Sequence, residues 1–118
     1  MKPYSGNAAE AANDYRGWFL GHFIGAPGDP GHSEAVEIKW GRHAAGEMRA
    51  AWSQCDSSSL AILIRGRFVL GFEETEFVLQ NEGDFVFWGP GIPHTWRAVE
   101  ESLVITVRWP SGAADSAS

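Results

Sequence analysis

The sequence predicts an all-β domain, and three observations carry that prediction. Fourteen glycines and six prolines interrupt 118 residues, and they gather into turn signals. Aromatic residues reach 13%, with six Trp and seven Phe, side chains that suit strands. Between the turns, short apolar runs alternate with period two.

The elements follow in order. Residues 1–16 form an N-terminal segment, residues 17–110 the barrel or sandwich, and residues 111–118 a flexible tail. Asn7–Tyr15 is the single helix candidate, because Ala8, Ala9, Glu10, Ala11 and Ala12 favour helix and Asn7 suits a cap. Nine residues are marginal alone, so this helix must dock. Gly17–Gly25 reads as an aromatic strand bounded by glycines, and Ala26–Gly31 as turn punctuation. Glu34–Trp40 alternates, with Val36, Ile38 and Trp40 on one face and Glu37 and Lys39 on the other. Leu60–Ile64 is a continuous apolar run, suited to a strand buried on both faces. Phe68, Leu70 and Phe72 alternate, as do Phe77 and Leu79. Asp84–Trp88 and Leu103–Trp109 complete the set, the last with Leu103, Ile105, Val107 and Trp109 on one face. Short strands at this spacing read as a sandwich or barrel. No room exists for the crossover helices of an α/β fold.

Charge and cysteine content narrow the function classes. Nine basic residues against 15 acidic give a net charge of −6. With no Lys/Arg cluster along the chain, nucleic acid and anionic membranes are not expected partners. No run approaches the length of a membrane span, and the first ten residues lack the apolar core of a secretory signal. A single cysteine, Cys55, forms no internal disulfide and favours a reducing compartment. The expected location is the cytoplasm.

Two segments then resemble the paired motifs of the cupin superfamily. Its second motif is written G-x5-P-x-G-x2-H-x3-N. In GDFVFWGPGIPH, Gly83, Gly91 and His94 fall in register. Gly89 takes the proline position with Pro90 one later, and Ala98 replaces the terminal Asn. The first motif is written G-x5-H-x-H-x3,4-E-x6-G. Gly46 and Gly66 place both its glycines. That register puts Trp52, Gln54 and Ser59 where the family has His, His and Glu, so the glycine frame is kept and the metal ligands are degenerate. The resemblance implies a jelly-roll β-barrel (the double-stranded β-helix) with a short N-terminal helix, and pairing into a homodimer through the sheets. It names no function, because the superfold hosts many.

Of the family's ligand set only His94 remains, and a single imidazole does not hold a transition metal. The resemblance therefore implies no metal cofactor. The alternative is a divalent metal held by rearranged ligands, drawn from His22, His43, Glu47 or Cys55. His43 and Glu47 stand four apart, and a turn at Gly46 would bring them together.

Strand parity supplies a cavity list. If Trp52 and Gln54 point inward, so does Met48. If Ser59 points inward, so does Leu63, and with His94 goes Trp96. The expected lining is Met48, Trp52, Gln54, Ser59, Leu63, His94 and Trp96, an aromatic pocket for a small organic molecule. A bulge within Glu47–Gln54 inverts the first part. Arg97 and Arg108 lie beside aromatic strands, where they would stack on a Trp face or clamp a carboxylate.

Two function classes follow. One is a metal-free small-molecule-binding protein acting as a sensor, carrier or pathway accessory. The other is an enzyme, using His94 as general acid/base in an isomerisation or cyclisation, or using a metal with rearranged ligands as an oxygenase or isomerase.

Overall fold

The computed structural model describes residues 2–112. The helix is α1 (Ala8–Ala11). The Asn7 side chain caps it, accepting from the Glu10 amide at 3.1 Å. It is shorter than the nine residues expected. Asn13 and Asp14 favour turns over helix, and turns carry the chain on to Gly17.

Nine strands follow among the described residues: β1 (Trp18–Leu20), β2 (Glu37–His43), β3 (Met48–Ser53), β4 (Ser58–Arg65), β5 (Phe68–Gly71), β6 (Glu76–Leu79), β7 (Phe85–Trp88), β8 (His94–Ala98) and β9 (Ser102–Trp109). They form two antiparallel sheets, of order β1-β2-β9-β4-β7 and β3-β8-β5-β6. This is the jelly-roll arrangement, two sheets face to face around one core. The expected strand over Gly17–Gly25 stops at Leu20. Beyond it Gly21 turns to bond Gly31 across the Ala26–Gly31 turns.

The apolar core is eccentric. Ala61, Leu63, Phe68, Leu70, Leu79, Val86, Trp88, Ala98 and Val104 form one buried cluster. Leu60–Ile64 is not buried on both faces. Ala61 and Leu63 point inward, while Leu60, Ile62 and Ile64 are half-buried on the outside.

That outer face is unusual. Across β2, β9, β4 and β7 the ladders align Ile38, Val107, Leu60 and Phe87 in one row, and Trp40, Ile105, Ile62 and Phe85 in the next. Phe85 is 62% exposed and Phe87 56%. The apolar half of β2 therefore faces outward, and Glu37, Lys39 and His43 face the interior.

Glu37 makes this tolerable. It is buried, lies 3.5 Å from Arg108 Nη1, and accepts from the Ser111 hydroxyl at 2.9 Å and the Gly112 amide at 3.3 Å. Ser111 is thus held in place rather than free, which corrects the start of the expected tail. Residues 113–118 of that tail lie outside the described residues.

Gly66 closes the β4–β5 turn with φ of +106°. A Cβ there would strike the Glu101 carbonyl and the Ser102 side chain. Ser102 is itself buried and bonds the Arg67 amide at 3.1 Å. Gly66→Ala should therefore lower stability by about 3 kcal/mol, combining a left-handed backbone with overpacking. Urea denaturation reads this directly, and an unchanged midpoint would contradict the turn geometry.

Candidate functional site

β2, β3, β8 and β9 bring their inward side chains to a small cavity. It has a volume of about 40 Å³, and its wall includes Lys39, His43, Arg49, Ser53, His94, Trp96 and Arg108. A larger cleft of about 370 Å³ lies outside, between the N-terminal segment and β2. Ala9, Ala12, Asn13 and Arg16 form one side of it, and Lys39, His43 and Trp96 belong to both cavities. These three residues border both the inner cavity, the chamber, and the outer cleft, its vestibule.

The sequence-predicted residues divide. His94 is buried and lines the chamber with Trp96. Ser59 and Leu63 are fully buried on β4, in the floor of the core. Met48, Trp52 and Gln54 do not point inward. Met48 is 60% exposed, Trp52 55%, and Gln54 is exposed as well. The ladder explains the correction. Arg49 pairs with Trp96 and Ser53 with His94. Directly opposed residues share a face, so Arg49 and Ser53 are the inward residues of β3. Between those pairs lie three residues of β3 (Ala50, Ala51 and Trp52) against one of β8 (Thr95), an irregularity that spacing from Gly46 does not reveal.

The chamber is aromatic on one side. His43 packs on Trp96 at 4.5 Å and on Phe68 at 5.0 Å, and Phe68 stacks on Trp96 at 5.4 Å. Trp88 lies 4.9 Å from His94. The other side is cationic. Arg108 lies over the Trp18 ring at 4.7 Å, the stacking that its position beside the aromatic strands suggested. Arg97 instead bonds Glu76 at 2.7 Å on the surface. Lys39 and Arg49 make no ion pair among the described residues. Arg49 Nη1 and Ser59 Oγ are buried without a hydrogen-bond partner.

These surroundings shift the titrating groups. Burial, aided by Arg108, Arg16 and Arg49, lowers Lys39 to about 8. Burial, then Lys39, lowers His43 to about 4 against the pull of Glu47. Burial also holds His94 below its ordinary value, opposed by its bond to the Ile92 carbonyl. That carbonyl only accepts, so Nδ1, 3.1 Å away, carries the hydrogen. Nε2 then offers its lone pair to the Ser53 hydroxyl at 3.5 Å.

The donor set does not fit a divalent metal. Two imidazoles, His43 and His94, share the chamber with Lys39, Arg49 and Arg108, and three cations repel a fourth. His43 Nδ1 does approach Glu47 at 3.7 Å around the Gly46 turn. His22, by contrast, bonds Ser111 at 2.7 Å, and Cys55 is buried against the Ser57 carbonyl. No three of His, Cys, Asp or Glu converge among the described residues.

Comparison with known proteins adds the fold. No family model matches the sequence, and no curated protein matches it. Solved structures do match. A cupin-like protein from Thermotoga maritima superposes with a TM-score of 0.61 and 19% identity, over 70% of this chain and 63% of that one. This chain has the cupin fold. KdgF from a Halomonas species gives a TM-score of 0.61 and 21% identity, over 67% and 73% of the two chains. The DMSP lyase DddQ from Ruegeria pomeroyi gives 0.62 and 21%, over 76% of this cupin-fold chain but only 45% of the lyase. At such identities the likeness is one of fold, and the chemistry must come from the residues.

Lys39, Arg49 and Ser53 were missed as site residues, whereas Arg108 was singled out beside the aromatic strands. The sequence places Lys39 with Glu37 on one face of its strand without saying that this face is inside, although the scarcity of lysine (only Lys2 and Lys39) was a usable signal.

The His43 shift makes a prediction. Between pH 6.5 and 4 the unfolded chain takes up a proton that folded His43 refuses. Stability therefore falls with pH across that window, by up to about 3 kcal/mol. His43→Phe removes this loss. The difference in urea midpoint between variant and wild type should widen in the variant's favour as pH drops, and a constant difference would contradict it.

Proposed function

We propose that this chain is a metal-free, small-molecule-binding cupin-fold protein, a sensor, carrier or pathway accessory. The observation that carries this reading is that Lys39, His43 and Trp96 border both chamber and vestibule. About 370 Å³ lies within the usual range of small-ligand sites, and few but specific polar groups line the chamber behind it. The aromatic part of the pocket is Trp96, Phe68 and Trp88, in place of Trp52. Tryptophan fluorescence during a metabolite screen tests the reading. A ligand that quenches the wild type should bind Trp96→Ala about tenfold or more weakly, about 1.4 kcal/mol. Unchanged affinity would place binding elsewhere.

A second reading is favoured by one observation. His94 is below its ordinary pKa, its Nδ1 hydrogen is held by Ile92, and its Nε2 lone pair faces the chamber. That is the form of a general base, suited to an isomerisation or cyclisation. His94→Ala should then abolish turnover of any substrate found and leave its binding intact.

The expected homodimer fits the outer face of the five-stranded sheet. Its two apolar rows carry no charge, and Phe87 stacks on Trp109 at 5.9 Å. A second copy presents the same uncharged surface. Phe87→Glu should convert a dimer to a monomer in light scattering, whereas a monomeric wild type would contradict the pairing. No described helix is long and apolar enough to cross a membrane, and the buried free thiol of Cys55 suits a reducing cytoplasm.

A further inference from the structure

The charge of the site is opposite to that of the molecule. The chain has nine Lys and Arg and a net charge of −6. Five of the nine, Arg16, Lys39, Arg42, Arg49 and Arg108, line the chamber or its vestibule. Glu47 is the one carboxylate lining either, among the described residues, and it is engaged. It accepts from the Ala44 amide at 2.7 Å and faces His43. Glu37 answers Arg108 at 3.5 Å. Lys39 and Arg49 have no such answer, and Arg49 Nη1 is buried without a partner. Arg108 is buried and Lys39 and Arg49 are half-buried beside it, and clustered cations withdrawn from water cost free energy unless an anion joins them.

Size narrows the anion. The chamber, of about 40 Å³, takes a compact charged head and not a whole organic ligand. Arginine's planar fork matches a carboxylate, and a phosphate as well, so inorganic phosphate is the competing anion that the test must include. The vestibule, walled partly by Trp96 and Trp40, suits an apolar body.

We propose that the ligand is a monocarboxylate, its carboxylate held in the chamber by Arg49 and Lys39 and its body lying in the vestibule against Trp96. This rests on the small-molecule reading above and adds the ligand's chemical class. Lys39 faces Arg108 from β9, Arg49 from β3, Arg16 from the N-terminal segment and Glu47 from the β2–β3 turn, with His43 on its own strand. Four of these groups disfavour or fail to support its charge, and an entering carboxylate favours it.

Calorimetry at neutral pH and low salt tests this with aromatic and aliphatic monocarboxylates. Each, beginning with benzoate and phenylacetate, is paired with its primary amide, and inorganic phosphate is a third arm. The carboxylates should bind about tenfold or more tighter than the amides. Their affinity should fall with added salt, and as pH rises through the Lys39 titration near 8. Arg49→Met keeps the stem and removes the charge. It should weaken carboxylate binding about tenfold, weaken amide binding by clearly less, and leave thermal stability equal or higher. Arg49→Lys should restore part of the affinity.

Equal binding of acids and amides would overturn the carboxylate assignment and leave the small-molecule reading standing. Tighter binding of phosphate than of any carboxylate would overturn it as well. Binding by neither acids, amides nor phosphate would overturn both readings together.

Discussion

Buried Glu37 fixes the face that β2 turns to the barrel interior. Its carboxylate joins Arg108 on β9, the Ser111 hydroxyl and the Gly112 amide. Strand side chains alternate with period two, so one inward anchor commits the whole strand. With Glu37 inside, Lys39 and His43 are inside too, and Ile38 and Trp40 go outside. The same ladder then commits β9, where Arg108 points inward and Ile105 and Val107 outward. Losing one partner of this pair would leave a buried charge uncompensated, a cost of several kcal/mol.

This commitment shapes both surfaces of the five-stranded sheet. Its inner face carries cations and imidazoles into the chamber, and its outer face carries two uncharged rows. Interior polarity and exterior apolarity are therefore one fact seen from two sides. The four-stranded sheet completes the chamber by supplying aromatic rings from Phe68 and Trp96 and the inward residues Arg49 and Ser53 of β3. Burial, and after it the cationic neighbours, lowers both Lys39 and His43, so each group's charge depends on its surroundings.

The fold was readable because its signals are local. Asn7 caps, Gly66 turns, and alternation marks most of the strands. The site was readable on β8, where His94 and Trp96 lie just after a Gly-Pro-Gly turn, and at Arg108 beside the aromatic strands. On β2 the alternation separated Glu37 and Lys39 from Ile38 and Trp40 correctly, yet alternation never says which face is inside. Polar residues default to solvent only when the apolar face is covered by the same chain. On β3 the count from Gly46 landed on Trp52 and Gln54, one residue away from Ser53, because pairing with His94 and not spacing sets parity. Ser59 and Leu63 obeyed parity because β4 is central and pairs on both sides.

The central claim is that Lys39 stands inside a barrel whose interior is a cationic site. The carbon-13 shift of its ε-methylene, followed against pH, tests this most directly. A titration near 8 is expected, moving upward when a monocarboxylate is bound. A midpoint at the ordinary lysine value, about 10.4, unmoved by carboxylates, would contradict it.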